Sequence, residues 1–283
     1  MGIVQDLIEA GVIPSGTAVE ETPLSGGYWN TVVRLDLGDG RRWVAKRFAD
    51  SSDNPYFPND PAIEAAATAL IAGRRIASDP VAYVPEARLL VTKFLEGPSW
   101  DGSVSEAARL LRRVHDIEPV GLRPLAVGST GILAHARAIL DWGGATLDLP
   151  FPRLSREGRA GSLVHTDCGP GNMISTPQGL RLIDWQCPGD GDAVEDIVCF
   201  TSPAMQILYE RPPLGRSEVE SFLAAYDHDE TVERFQALRP AYLWRIAAYC
   251  SARAHRLSGS DPEVAARYRR ALEAEAQLLQ ELA

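Results

Sequence analysis

His165-Thr166-Asp167-Cys168-Gly169-Pro170-Gly171-Asn172 runs directly into Met173-Ile174-Ser175-Thr176-Pro177-Gln178-Gly179-Leu180-Arg181-Leu182-Ile183-Asp184-Trp185, and the rest of the chain is best understood outward from here. Asn172 to Ser175 and Leu180 to Trp185 read as strands, with Thr176-Pro177-Gln178-Gly179 as the turn between them. The spacing H-x-D-x-x-x-x-N sets Asp167 and Asn172 on a loop before the hairpin, and Asp184 ends its second strand. A tight hairpin folds the chain back, so loop and strand end reach one cleft. Phosphoryl transfer from ATP needs such a set. A carboxylate orients the attacking hydroxyl and takes its proton, two oxygen ligands hold Mg²⁺, and a cation sits at the α/β side. Asp167 suits the first role. Asn172 and Asp184 suit the second, because Mg²⁺ prefers hard oxygen ligands and keeps several waters. Taken singly, His165 also suits a core histidine, Asp167 a turn former and Asn172 a cap. The combination with Asp184 carries the chemical reading.

The cation should come from the N-terminal third, which reads as strands with one helix. Thr31 to Leu37 alternates, Trp43 to Phe48 is a second apolar run, and Gly38-Asp39-Gly40 between them signals a hairpin. Val44-Ala45-Lys46 places a lysine on the second strand, in the V-A-x-K manner of a phosphate-contacting lysine. Asp60-Pro61 pairs an N-cap with a proline at the first helical position and opens an Ala-rich helix to about Ala72. Glu64 on that helix is the natural carboxylate to hold Lys46. Each alone also suits a surface lysine and a first-turn helix acid. Ahead of the first strand, Ser25-Gly26-Gly27 and Asn30 offer backbone N–H groups close to a phosphate, or an ordinary turn. Arg88 to Leu95 is a further strand-like run, and Gly97-Pro98 breaks the chain after it. The division is therefore drawn as residues 1–96 and 97–283.

The remainder is mainly helical. Ser103 with Glu106, and Ser217 with Glu220, have capping-box spacing. Ile132, Ala136, Ile139 and Leu140 mark a helical face, and Asp261-Pro262 opens a long last helix. The expectation is an α+β chain with a β-rich N-terminal lobe and a helical C-terminal lobe.

Composition bounds the rest. The chain has 283 residues, 45% hydrophobic and 23% charged, as in an ordinary globular protein. No apolar stretch approaches the roughly 20 residues that cross a bilayer, and the first residues lack a basic n-region. Cys168, Cys187, Cys199 and Cys250 fit neither a zinc site nor a dithiol motif and suit reduced thiols in the cytoplasm. A net charge of −10 argues against a nucleic-acid partner.

Taken together, Ser25-Gly26-Gly27 to Asn30, Lys46, Glu64, Leu90 to Gly97, Ala108 to His115, His165 to Asn172 and Ile183 to Trp185 resemble the aminoglycoside phosphotransferase and choline kinase-like superfamily. The resemblance covers nearly the whole chain in order. It implies a bilobal protein-kinase-like fold, with Asp167 as catalytic base and Asn172 and Asp184 as metal ligands. Lys46 would contact phosphates, Glu64 would pair with it, and His165 would support the catalytic loop. Asp196 would cap the following helix. Adenine would contact the backbone near Lys93 and Leu95. Thr166 departs from the pattern where a small residue such as Gly is common, and Trp29 is bulky for a phosphate loop. Protein kinases themselves fit less well, since Asp184 precedes Trp185 and no Ala-Pro-Glu follows.

The implied acceptor is a small molecule bearing a hydroxyl, an amino-alcohol such as choline, ethanolamine or a thiamine-like compound, or an aminoglycoside. Tyr242, Trp244 and Tyr249 lie on one helix and suit cation–π contact with an amine, or simple core packing. Asp190, Asp192 and Glu195 suit a cationic acceptor, or a solvated face. The alternative function is a catalytically silent nucleotide-binding pseudokinase. The sequence does not set the oligomeric state.

Overall fold

The structure is a computed structural model describing residues 2–24, 30–50, 53–100, 102–152 and 156–282. The first part is helix α1 (Ile3–Glu9), strands β1 (Val19–Pro23), β2 (Thr31–Leu37) and β3 (Arg42–Arg47), helix α2 (Pro61–Leu70), and strands β4 (Pro80–Val84) and β5 (Leu89–Lys93). The strands form one antiparallel sheet in the order β1-β2-β3-β5-β4. Period-2 patterning explains its core. Val33, Leu35 and Leu37 point to one face, Leu35 lies opposite Trp43 and Val33 opposite Ala45, and Ile3 and Leu7 of α1 close over them. Burying each large aliphatic side chain here stabilises by about 1.5–3 kcal/mol. Asp60 caps α2 through its side chain, which accepts from Ala62 N–H, and Pro61 stands at the first turn.

The second part follows β5. Helices α3 (Val104–His115) and α4 (Gly128–Gly143) come first, then the strands β6 (Ser162–Val164), β7 (Met173–Thr176), β8 (Gly179–Leu182) and β9 (Gly189–Gly191). Helices α5 (Val194–Thr201), α6 (Pro203–Leu208), α7 (Arg216–Tyr226), α8 (Asp229–Leu257) and α9 (Pro262–Glu281) complete it. All of α5 is buried, its apolar residues in the core and its Glu195 and Asp196 on internal partners. The main core joins α3, α4, α5 and α8 around Trp185 and Phe200.

The β7–β8 hairpin is what ties the two parts together. On one side Pro98 and Trp100 pair with it, through Ser175 N–H to Pro98 O at 2.8 Å and Trp100 N–H to Met173 O at 2.8 Å. On the other side Leu182 N–H donates to Ile76 O at 2.8 Å. Gly97 makes the first approach possible. Its φ is 147°, and a Cβ there would overlap the carbonyl of Ser175.

Some sequence expectations shift. Helix α3 starts after Ser103, but the Ser103 side chain makes no capping bond. Helix α7 starts before Ser217, and its first-turn carboxylate is Glu218, which accepts from Gly215 N–H at 2.7 Å. Asp192 and Glu195 are buried, not on a solvated face. Asp192 pairs with Arg234 at 3.2 Å and Glu195 with Arg245 at 2.5 Å.

Candidate active site

Four segments converge at the hairpin. Strand β3 carries Lys46, α2 carries Glu64, the loop before β7 carries His165 to Asn172, and the chain after β8 carries Asp184. Lys46 Nζ donates to Glu64 Oε2 at 2.7 Å and also to Asp184 Oδ1. Lys46 and Glu64 are both buried. Burial alone would lower the lysine's pKa, but the Asp184 and Glu64 carboxylates outweigh it and hold the ammonium form above its usual range. Asp184 stands at φ 60°, an uncommon conformation for a residue with a side chain, and such outliers cluster at functional sites.

The loop is held from behind by Asp196. Its Oδ2 accepts from His165 N–H at 2.8 Å and its Oδ1 from Thr166 N–H at 2.8 Å. His115 Nε2 lies 3.1 Å from the same carboxylate. Asp196 sits within α5, so it anchors the loop and does not cap a helix, which corrects the sequence expectation. Burial would raise its pKa, yet the His115 bond and the neighbouring imidazoles hold it below the usual carboxylate range. Thr166 is at φ 70°, where glycine is the easier residue. Its two bonds, N–H to Asp196 and Oγ1 to Cys187 O at 2.9 Å, keep it there. His165 accepts from Asp167 N–H at Nδ1, 3.3 Å, and so donates from Nε2 to Ile183 O at 3.0 Å. It braces the loop against the strand that leads to Asp184.

Asp167 is half-buried, and burial pushes its carboxyl up, partly offset by a hydrogen bond from Tyr209. Tyr209 OH donates to Asp167 Oδ1 at 2.7 Å, and Asn172 Nδ2 donates to Tyr209 OH at 2.8 Å. Asn172 Nδ2 also donates to Asp167 O at 2.8 Å. The sequence reading missed Tyr209. Its signal is indirect: Gly169 and Gly171 leave the loop without side chains where its ring packs, and Ser202-Pro203 starts the short helix that ends at Tyr209.

Other expected site residues are placed differently. Ser25, Gly26 and Gly27 lie outside the described residues. The Asn30 side chain is committed internally. It exchanges two bonds of 2.9 Å with the Asn59 amide and accepts from Ala49 N–H at 3.0 Å, so it shapes the segment after β3 and is not left free for a nucleotide. Lys93 N–H donates to Asp79 O at 3.0 Å, the Lys93 carbonyl accepts from Ser78 Oγ, and its side chain pairs with Asp79 in solvent. Leu95 follows the end of β5 and is half-buried.

Tyr242, Trp244 and Tyr249 are all buried, and their rings pack on internal partners. The Tyr242 ring takes the Arg245 guanidinium at 5.0 Å, and Trp244 packs on Phe151 at 5.1 Å. Tyr249 packs on Tyr56 at 5.3 Å and Phe57 at 5.0 Å. The cation between Tyr56 and Tyr242 is thus Arg245 itself, and core packing accounts for the aromatic group. This packing also fastens the 54–58 segment to the helices. His135 Nε2 lies 3.1 Å from Pro55 O, and Arg245 donates to Tyr56 OH at 3.1 Å. Asn54 Nδ2 donates to Tyr249 OH at 3.4 Å, and Cys187 Sγ to Pro58 O at 3.4 Å.

Among the described residues, no helix is long and apolar enough to cross a membrane. None of them form a group of three or more His, Cys, Asp or Glu able to hold a metal alone. The Asn172 amide spends both N–H bonds on Asp167 O and Tyr209 OH, which leaves its oxygen for a cation. With the Asp184 carboxylate it offers two hard oxygens, a set that suits Mg²⁺ shared with phosphates and water.

The profile of the phosphotransferase enzyme family matches residues 20–238. A comparison with curated proteins finds no match. Among solved structures, the chain is similar to an ethanolamine kinase of Plasmodium vivax, with 12% identity, TM-score 0.70, and 98% of this chain and 88% of that one covered. It is similar to the choline kinase of Streptococcus pneumoniae, with 17% identity, TM-score 0.63, and coverage of 97% and 98%. It is also similar to a spectinomycin phosphotransferase solved with ADP and spectinomycin, with 15% identity, TM-score 0.62, and coverage of 99% and 98%. At these identities the likeness is one of fold, the α+β protein-kinase-like fold.

Proposed function

The chain belongs to the phosphotransferase enzyme family, and from that premise we propose that it is an ATP-dependent kinase acting on a hydroxyl of a small molecule. The observation that carries the reading is the convergence of Lys46, Glu64, Asp167, Asn172 and Asp184 from four separate segments. The lobes divide at residues 96 and 97, with the nucleotide held against the sheet and the acceptor on the helical side. Glu64 fixes Lys46, and Lys46 meets the α- and β-phosphates. The adenine lies along the chain near Leu95, because both backbone groups of Lys93 already have partners.

Asn172 and Asp184 would hold Mg²⁺, which when bound neutralises charge on the phosphate oxygens. Asp167 orients the acceptor hydroxyl in line with the γ-phosphorus. An O–P bond forms to the acceptor oxygen, the bond to the β–γ bridging oxygen breaks, and the hydroxyl proton passes to Asp167. The work is positioning and electrostatic stabilisation. The Lys46 ammonium, anchored by two carboxylates before nucleotide arrives, needs little reorganisation. A non-catalytic reading has no missing group to rest on.

For the acceptor we propose an amino-alcohol such as choline, ethanolamine or a thiamine-like compound, or an aminoglycoside. The relatives of this fold supply the support, since the Tyr242 face already holds Arg245, and Trp244 and Tyr249 pack on Phe151 and Tyr56. The test is ATP consumption with Mg²⁺ across these acceptors. Asp167→Ala should lower acceptor-dependent turnover by about 10²–10⁴-fold while ATP still binds. Near-normal turnover in that variant would remove Asp167 from the chemistry.

A further inference from the structure

Tyr209 lies outside the set above and touches two of its members, Asp167 and Asn172. Its hydroxyl accepts from Asn172 Nδ2 at 2.8 Å, so its own proton is directed at Asp167 Oδ1, 2.7 Å away. One hydroxyl therefore links the base and the metal-binding amide. Its placement is fixed by packing. The ring lies over the backbone of the catalytic loop, where a Cβ at Gly169 or at Gly171 would overlap ring atoms. Met205 O holds the Tyr209 backbone at 3.2 Å, at the end of α6.

We propose that Tyr209 is a positioning residue for phosphoryl transfer, fixing the Asp167 carboxylate and the Asn172 amide in one arrangement. The inference rests on the kinase reading. With Oδ1 occupied by Tyr209, Asp167 presents Oδ2 to the acceptor hydroxyl. With both its N–H groups engaged, Asn172 keeps its oxygen free for the cation. Without the hydroxyl, Asp167 loses a charge-assisted bond and the carboxylate can rotate. The amide loses one of its two acceptors and can turn as well. A second view of the same contact is a plug, in which Tyr209 holds the place of the acceptor hydroxyl and must leave before reaction. The close seat over two glycines and the bond from Asn172 favour a resident group over a displaced one.

Tyr209→Phe is the informative variant, because it keeps the ring and deletes one oxygen. Three quantities decide: kcat and KM in the ATP-consumption assay, the affinity for Mg·ADP by titration calorimetry, and the melting temperature. Positioning requires kcat to fall about 10-fold, the effect of one lost hydrogen bond to a charged group. The KM for the acceptor should stay within about two-fold, Mg·ADP affinity should fall several-fold, and the melting temperature should hold. The double variant with Asn172→Ala should be scarcely worse than Asn172→Ala alone, since the two act as a unit.

Unchanged kcat together with unchanged Mg·ADP affinity overturns the proposal. A rise in kcat, or a lower KM for the acceptor, also overturns it and supports the plug. If the wild-type protein turns over no acceptor, the kinase reading fails by itself, and the calorimetric arm still decides on Tyr209: a weakened Mg·ADP complex retains the link to Asn172, an unchanged one removes it.

Discussion

At the residue scale, one buried carboxylate sets the geometry of the catalytic loop. Asp196 takes the two successive backbone N–H groups of His165 and Thr166 and the ring of His115. Asp196→Asn keeps the shape but turns an acceptor oxygen into an NH₂ group facing an N–H. We expect a loss of about 1–3 kcal/mol, the cost of an unsatisfied buried donor, with activity falling further because Asp167 lies one residue beyond Thr166. Denaturant unfolding and turnover of the same variant check this, and a variant as stable as wild type would show that the loop holds its own shape. The sequence displayed this site unevenly. His165, Asp167, Asn172 and Asp184 stand at fixed short spacings around one hairpin, so local pattern reveals them. Tyr209 and Asp196 meet the loop from 42 and 30 residues away, and nothing local announces such contacts. The pairing of Glu195 with Arg245 spans 50 residues, so a solvated face stayed open to Asp192 and Glu195 in the sequence although both are buried.

At the scale of elements, patterning located most of the first sheet. The β2–β3 hairpin follows from alternation and a glycine-rich turn, and α2 follows from Asp60 and Pro61. Strand β1 was not legible, because Val19-Glu20-Glu21-Thr22-Pro23 is largely exposed at the sheet edge and lacks alternation. Helix α8 runs through Pro240, where sequence alone suggests a break. The decisive element junction is Gly97, which brings the chain leaving β5 onto the hairpin. Gly97→Ala must both strain a φ of 147° and push against the Ser175 carbonyl. The expected cost is about 2–4 kcal/mol, with a weaker apparent affinity for ATP because the neighbouring backbone shifts. Thermal unfolding and nucleotide titration measure both. An alanine variant with wild-type melting would mean that the hairpin yields to the strand.

At the scale of the whole molecule, stability should depend on pH through Glu275. Its Oε2 accepts from Ser202 Oγ at 2.8 Å and Ala204 N–H at 3.1 Å, joining α9 to the α5–α6 corner. Burial, only partly offset by the Ser202 bond, raises its carboxyl from the usual 4.5 to about 7. Between these values the folded chain keeps a proton that the unfolded chain has lost. The stabilisation is therefore complete below pH 4.5 and declines as the pH rises through 7, by at most about 3 kcal/mol. We expect the wild type to lose melting temperature between pH 5 and pH 8, and Glu275→Gln to lose distinctly less. Parallel slopes in the two proteins would place the pH dependence elsewhere.

The 54–58 segment, fastened to the helices through Asn54, Pro55, Tyr56 and Pro58, has a mechanical consequence. Two bodies joined at one point can rotate about any axis through it. Joined at two separated points, they can rotate only about the line between them, and each further attachment off that line removes more of that freedom. The first part meets the second beside Gly97, at Tyr56 and again where Leu182 N–H reaches Ile76 O. A gap that admits or releases a nucleotide between them therefore widens only by stretching or breaking one of these attachments.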